Sequence, residues 1–321
     1  MTHDILARVS LGTTGIEVPP IAIGCAPLGN MPDTFGYEVS EDNATATIAA
    51  ALAGPLNYID TSAEYGDGES ERRIGLAFKA LGGMPNGTIL QTKVGAGPDG
   101  DFSGDAIRRR FERSLQLLDT DRIEIVFLHD PEHTPFESAM APGGPMDVFK
   151  DLQRQGAIGF LGVAGGPIDV ETRYVESGMF DLLITHNRYT LLNRAADPLL
   201  TLARERGLGV MNAAPYGSGM LAKGQKAYPR YAYQQAPEHM IERTSVYAGI
   251  CDRYDVPLGA AALQFSMLDP RIDVTIVGMS KPERIAQTIE LAHHNIPQDC
   301  WDELLAVPFD SDEPEANRHK R

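Results

Sequence analysis

The sequence predicts a (β/α)8 barrel with an N-terminal β-hairpin, spanning residues 1–321 as a single domain. Eight short apolar runs alternate with helical patterns at fairly even intervals, the mark of βα units and a parallel sheet. The chain of 321 residues, 43% of them hydrophobic, has material for one large core. No composition break marks a boundary, and the surplus over the usual barrel length of about 250 residues goes to insertions.

The elements follow in order. "RVSLGTTGIEVPPIAIG" alternates around Thr13-Thr14-Gly15 and reads as a small hairpin placed to plug the barrel floor. The eight strands are "PIAIGC" (20–25), "LNYID" (56–60), "TILQTK" (88–93), "IEIVFLH" (123–129), "IGFLGVA" (158–164), "FDLLITH" (180–186), "LGVMNAA" (208–214) and "VTIVG" (274–278). Between them, "EDNATATIAAALAG", "DAIRRRFERSLQLLD", "FESAMAPGGPMDVFKDLQRQG" and "PLLTLARERG" carry apolar residues at helical spacing and read as crossover helices. Residues 217–239, after the seventh strand, form the longest irregular stretch, and a loop of that length is a functional or mobile one. The polar tail "FDSDEPEANRHKR" is expected to fray.

A formal charge of −16 repels phosphate backbones and anionic lipid, so neither nucleic acid nor a membrane surface is an expected partner. "MTHDILARVS" has no basic segment followed by an apolar one, and Cys25, Cys251 and Cys300 are far apart in sequence. The expected compartment is the reducing cytoplasm.

Barrel chemistry sits where strands end, on the carboxyl-terminal face. There the second strand presents Asp60 with Tyr65 in the loop beyond, the third Lys93, and the fourth His129-Asp130. Singly, such an Asp is a turn-former and such a Lys a snorkelling surface residue. On consecutive strands about 4.8 Å apart they read as one site. The carboxylate orients the ammonium, and the ammonium is expected to lower the Tyr65 pKa from about 10. His129 then places a substrate oxygen against the phenol. Glu64, Asp130 and Arg188 lie near strand ends as further substrate contacts, and Tyr228, Tyr231 and Tyr233 suit a cover over a sugar.

"YIDTSAEYGDGESERRIG", "LQTKVG" and "VFLHDP" resemble the aldo-keto reductase family, and the likeness runs from "LGTTGIEVPPIAIGCAPLGN" to "VTIVGMSKPERIAQTIE". The resemblance implies a catalytic tetrad of Asp60, Tyr65, Lys93 and His129. "FLHDPEH", "NRYTLLNRAADPLL", "APYGSGMLAKG" and "VPLGAAALQF" are similar to the branch oxidising free aldoses such as L-fucose; pyridoxal-oxidising members look similar too. It also implies an extended NAD(P) at the barrel mouth, with Gly24, Cys25, Asp60 and Ser218 among its contacts. Gly278, Ser280, Arg284 and Thr288 would meet its adenosine-phosphate end, aided by the helix starting near Pro282. Gly278 stands where many NADP-preferring members carry lysine, so NAD is favoured, with Lys281 nearby. Ala164-Gly165 and Ala213 replace a familiar Ser-Asn pair and a stacking aromatic, which leaves His186 and Tyr216 to hold the nicotinamide. "GAGPDG" (95–100) satisfies G-x-G-x-x-G but leads into "DFSG" rather than a helix, so it is not read as a dinucleotide fingerprint.

The expected activity is oxidation of a free aldose (L-fucose, D-arabinose or L-galactose type) at C1 to its lactone. Pyridoxal oxidation and general aldehyde reduction are alternatives within the family. From other classes come a lyase forming a Schiff base on Lys93 and a non-catalytic cofactor-sensing subunit. His129 and His133 flank Pro131, which argues against a shared helix face, so no metal is expected. Oligomeric state is left open.

Overall fold

The computed structural model describes residues 4–315. Two short antiparallel strands, β1 (Val9–Ser10) and β2 (Glu17–Val18), precede the barrel. The barrel strands β3 (Ile21–Gly24), β4 (Tyr58–Asp60), β5 (Ile89–Val94), β6 (Ile123–His129), β7 (Ile158–Gly165), β8 (Leu182–His186) and β9 (Gly209–Ala213) follow, each within a residue or two of its expected bounds. A hairpin of β10 (Arg230–Tyr231) and β11 (Gln234–Gln235) comes next. Then β12 (Val274–Gly278) closes the parallel barrel between β9 and β3.

Helices α1 (Pro32–Phe35) and α2 (Glu41–Leu52) follow β3, α3 (Glu69–Ala80) follows β4 and α4 (Gly104–Leu118) follows β5. The 21-residue stretch after β6 divides into α5 (Phe136–Met140) and α6 (Pro145–Arg154), because Pro142 holds the preceding Ala141 extended and stops α5, while Gly144 and Pro145 begin α6. Around the ring come α7 (Ile168–Glu176), α8 (Asp197–Glu205), α9 (Met220–Lys223), α10 (Glu238–Arg253), α11 (Leu258–Met267), α12 (Glu283–His293) and α13 (Gln298–Ala306). Ser40 and Ser103 cap α2 and α4, accepting from the Asn43 and Ala106 amides at 3.2 and 3.3 Å. No helix among the described residues is long and apolar enough to cross a membrane.

Two-residue periodicity sorts the strand side chains. Ile21, Ile23, Ile59, Leu90, Val126, Leu128, Leu161, Val163, Leu183 and Val210 point out to the helices. Their alternates, among them Ala22, Tyr58, Ile125, Phe127, Leu182, Ile184 and Met211, fill the barrel. Leu11 and Val18 of the hairpin join that inner cluster, so the hairpin closes the floor. Gly12 makes the closure possible: its φ is 52°, and a Cβ there would stand 2.2 Å from the Gly209 nitrogen.

Two expectations are corrected. The stretch after β9 contains α9 and the β10–β11 hairpin, with Tyr231 buried and bonded to Thr190 and to the Asn187 carbonyl, so that tyrosine packs rather than covers. The tail does not fray over its described part: Asp310 pairs with Leu192 and Arg194 backbone, and its carboxylate meets Arg243 and His239 at 2.8 and 2.7 Å. The end of the tail lies outside the described residues.

Candidate active site

The same alternation builds the reactive cluster. Asp60 is two residues beyond Tyr58, Lys93 four beyond Ile89, and His129 two beyond Phe127, so each continues an inward row to the carboxyl-terminal rim. Lys93 Nζ lies 2.6 Å from Asp60 Oδ1, both side chains only 4% exposed, and also donates to the Thr61 carbonyl at 2.8 Å. Its third polar neighbour is the Tyr65 hydroxyl, at 3.1 Å. Gln91 Nε2 reaches Asp60 Oδ1 at 2.7 Å, so the carboxylate is fixed from two sides.

His129 is oriented from outside the tetrad. Its Nδ1 is 2.8 Å from Glu64 Oε2 and 3.0 Å from Ser62 Oγ, while Ser62 Oγ donates to Glu64 at 2.6 Å. The Gly95 amide donates to the other Glu64 oxygen at 2.9 Å. A carboxylate can only accept, so Nδ1 carries the proton and Nε2 is turned away from Glu64. The Tyr65 ring stands edge-on to the imidazole, 5.9 Å between centroids.

The expected acidification of Tyr65 is corrected. Burial first, then Asp60 with Tyr233, Asp130 and Glu64, holds the phenol well above its ordinary range. One nearby ammonium does not outweigh the desolvation and the surrounding negative charge. Burial would lower His129, but Asp130 and the Glu64 hydrogen bond outweigh it and raise the imidazole.

These groups face a cavity of about 770 Å³ at the barrel mouth. Asp60, Glu64, Tyr65, Lys93, His129 and Asp130 border it, as do Gly24, His186, Tyr216, Ser218, Gly278, Ser280, Arg284 and Thr288. Two expected contacts do not. The Cys25 side chain is fully buried, its Sγ directed at the Ile23 carbonyl, with the thiol raised by burial first and then by Asp60. Arg188 is also fully buried, its guanidinium 2.6 Å from Glu313 and 3.0 Å from Glu315 of the tail. Tail carboxylates occupy the group that the sequence suggested for substrate.

His186 borders the cavity with Nε2 3.3 Å from Glu315, and Tyr216, also on its lining, stands near Gly259 and Arg284. Gly165 has a φ of 148°, and a Cβ there would crowd Asp130 at 2.8 Å, so this position has no room for a side chain. Ala164, Ile184, Ala213 and Ile276 give the cavity an apolar lining, with Ala164 paired beside His129.

At the opposite end the cavity is cationic. Lys223, lowered by burial and by Arg284, lies 4.7 Å from the Tyr228 ring centre and 5.4 Å from that of Tyr37. Lys223, Tyr37 and Ser62 were missed by sequence reasoning; the only signal was their place in the connections that follow barrel strands, Lys223 at the end of α9. Apolar lining beside the tetrad, together with Lys223 and Arg284, which share the cavity lining with Ser280 and have no ion pair among the described residues, could hold a dinucleotide's ring and pyrophosphate respectively. Among the described residues, no group of three or more His, Cys, Asp or Glu is arranged to hold a metal ion. The "GAGPDG" segment is an irregular loop ending before α4, as its sequence context indicated.

Residues 20–307 match the model of the aldo/keto reductase family. D-threo-aldose 1-dehydrogenase of a Pseudomonas species is 31% identical, over 90% of this chain and 94% of that protein. L-galactose dehydrogenase of Arabidopsis thaliana is 29% identical over 93% of each chain. Pyridoxal 4-dehydrogenase of Microbacterium luteolum is 28% identical over 92% of this chain and 95% of that one. An aldo-keto reductase of Bacillus halodurans, solved in its holo form, superposes with a TM-score of 0.77 over 98% of this chain and 99% of that one; at 20% identity it speaks to the fold alone.

Proposed function

The chain belongs to the aldo/keto reductase family, and from that premise we propose that it oxidises a free aldose at C1 to the lactone, with NAD or NADP as hydride acceptor. One observation carries the reading: Tyr65, Lys93 and Asp60 form a continuous hydrogen-bonded chain on the wall of the large cavity, with His129 opposite the phenol. Two of the relatives are sugar dehydrogenases, which supports an aldose over a simple alcohol.

In this reading Ala164, Ile184, Ala213 and Ile276 would hold the nicotinamide ring and Ser280, Lys223 and Arg284 the pyrophosphate. The oxidised cofactor would supply the hydride acceptor. Lys93, held by Asp60 and the Thr61 carbonyl, fixes the Tyr65 hydroxyl. Tyr65 exchanges a proton with the reacting oxygen, giving it in reduction and taking it in oxidation. His129 Nε2 orients that oxygen. Tyr233, which also borders the cavity, covers the sugar. The sequence favours NAD, and the cationic end also accommodates a 2′-phosphate, so both cofactors belong in one assay.

The test mixes purified protein with NAD or NADP and a panel of free aldoses, pyridoxal and simple alcohols, following reduced nicotinamide, with Tyr65→Phe alongside. Aldose turnover lost by at least about a hundredfold in the variant is expected, the size of a positioned acid–base group. Turnover of pyridoxal alone replaces the substrate assignment, and full activity in Tyr65→Phe refutes the role of the phenol.

A further inference from the structure

Glu64 borders two cavities. One is the large mouth of the barrel; the other, of about 270 Å³, opens between the β4 loop, the β5 loop and α4, bordered also by Asp67, Glu71, Gly97, Arg110 and Arg113. The Glu64 side chain, 20% exposed, forms part of the partition between them. On one side it takes the His129 Nδ1 hydrogen bond, and its other oxygen is steadied by Gly95. A volume of 270 Å³ has room for several waters at about 30 Å³ each. Charged side chains of both signs line it, which favours filling by water.

A second observation points the same way. The wall of the outer cavity contains Glu71, a fully buried residue whose carboxyl is held by Thr92 at 2.5 Å, with Ser114 as a second side-chain neighbour. Burial raises this carboxyl to about 7, so it exchanges protons near neutrality.

We propose that Glu64 and the outer cavity form a proton exit from the catalytic centre, separate from the mouth through which cofactor and sugar enter. The proposal rests on the dehydrogenase reading. Each oxidation sends one hydride, with the C–H electron pair, to the nicotinamide and frees one proton from the hydroxyl. Tyr65 and His129 flank the reacting oxygen, so the phenol first gives its own proton, through the substrate hydroxyl or a bound water, to His129 Nε2, and then takes the hydroxyl proton as hydride leaves C1. Nδ1 passes its own proton to Glu64 Oε2, and Glu64 passes it to water in the outer cavity. Reduction runs the same transfers backwards. No further electrons move. Such an outlet suits the buried phenol, which must shed one proton for every one it takes. The charged and titratable groups facing His129 among the described residues are Glu64, Asp130, Glu132, Lys93 and Tyr65, and Glu64 alone among them also borders the outer cavity.

Two measurements test this. In the protein without substrate, the His129 pKa read by NMR is expected to fall by about one pH unit in the isosteric Glu64→Gln variant and to stay near wild type in Glu64→Asp. In single-turnover mixing with NAD and the best aldose, a pH indicator and nicotinamide absorbance are followed together. Wild type releases proton and hydride in step, whereas Glu64→Gln is expected to release its proton at least about tenfold later than it transfers hydride. Glu64→Ala, which leaves space for a small carboxylate, is expected to recover with added formate. An unchanged His129 titration overturns the relay. A shifted titration with proton release still in step overturns the exit and leaves Glu64 as a positioning group. If wild type reduces no nicotinamide with any sugar, the dehydrogenase reading fails instead, and the histidine titration distinguishes that failure from one in the relay.

Discussion

Replacing Arg188 with methionine separates the two roles that sequence and structure assign to it. Its guanidinium is fully buried and touches Glu313 at 2.6 Å and Glu315 at 3.0 Å, and it donates to the His186 carbonyl at 2.9 Å. Methionine fills much of the volume but strands both carboxylates, of which Glu315 is 2% and Glu313 22% exposed. Removing one partner of a buried pair costs about 3–5 kcal/mol. The more exposed Glu313 and the terminal position of the tail, which can swing into water, put the loss near about 3 kcal/mol. With an unfolding entropy of roughly 2.1 cal/mol/K per residue, that lowers Tm by roughly 5 °C. Urea unfolding followed by circular dichroism, with limited proteolysis of the tail, measures the effect. The aldose KM should stay within about twofold. Wild-type stability with a KM raised tenfold would refute the structural argument and return Arg188 to the substrate.

Two further expectations concern burial and strain. Burial raises Glu71 from 4.5 to about 7, which favours the folded state while the carboxyl is protonated, so its contribution is full below about 4.5 and lost as pH rises through 7. Glu71→Gln should therefore match wild type in denaturant titrations at pH 4.5 and exceed it by about 3 kcal/mol above pH 8; a gap that does not change with pH contradicts the assignment. At the tip of the β10–β11 hairpin, Ala232 and Tyr233 both have positive φ, 48° and 63°, a turn that ordinarily takes Asn-Gly. Tyr233→Gly should relieve about 1 kcal/mol of backbone strain and keep or raise Tm. Losing the ring should meanwhile raise the aldose KM roughly threefold to tenfold; an unchanged KM would make it a packing residue only.

The barrel was legible because its strands write their period plainly: "IEIVFLH" places Ile125, Phe127 and His129 on one face and Val126 and Leu128 on the other. The same rule carries Asp60 and Lys93 inward, so the tetrad could be read before any contact was known. Arg188 and Cys25 defeated this reasoning. Proximity to a strand end says nothing about which partner takes a side chain, and the carboxylates that take Arg188 lie 125 and 127 residues away along the chain. Neither the tail docking nor the Glu64–His129 bond has a local pattern to betray it.

The sequence alone determined which residues stand at the barrel rim, because strand alternation and βα succession are short-range properties fixed within a few residues. The charge state of those residues belongs to the tertiary structure. Tyr65 holds its proton because it is buried and because three separate segments, β4 with its loop, the end of β6 and the β10–β11 turn, bring Asp60, Glu64, Asp130 and Tyr233 around it. Desolvation and Coulomb interaction depend on distances that only the closed barrel sets.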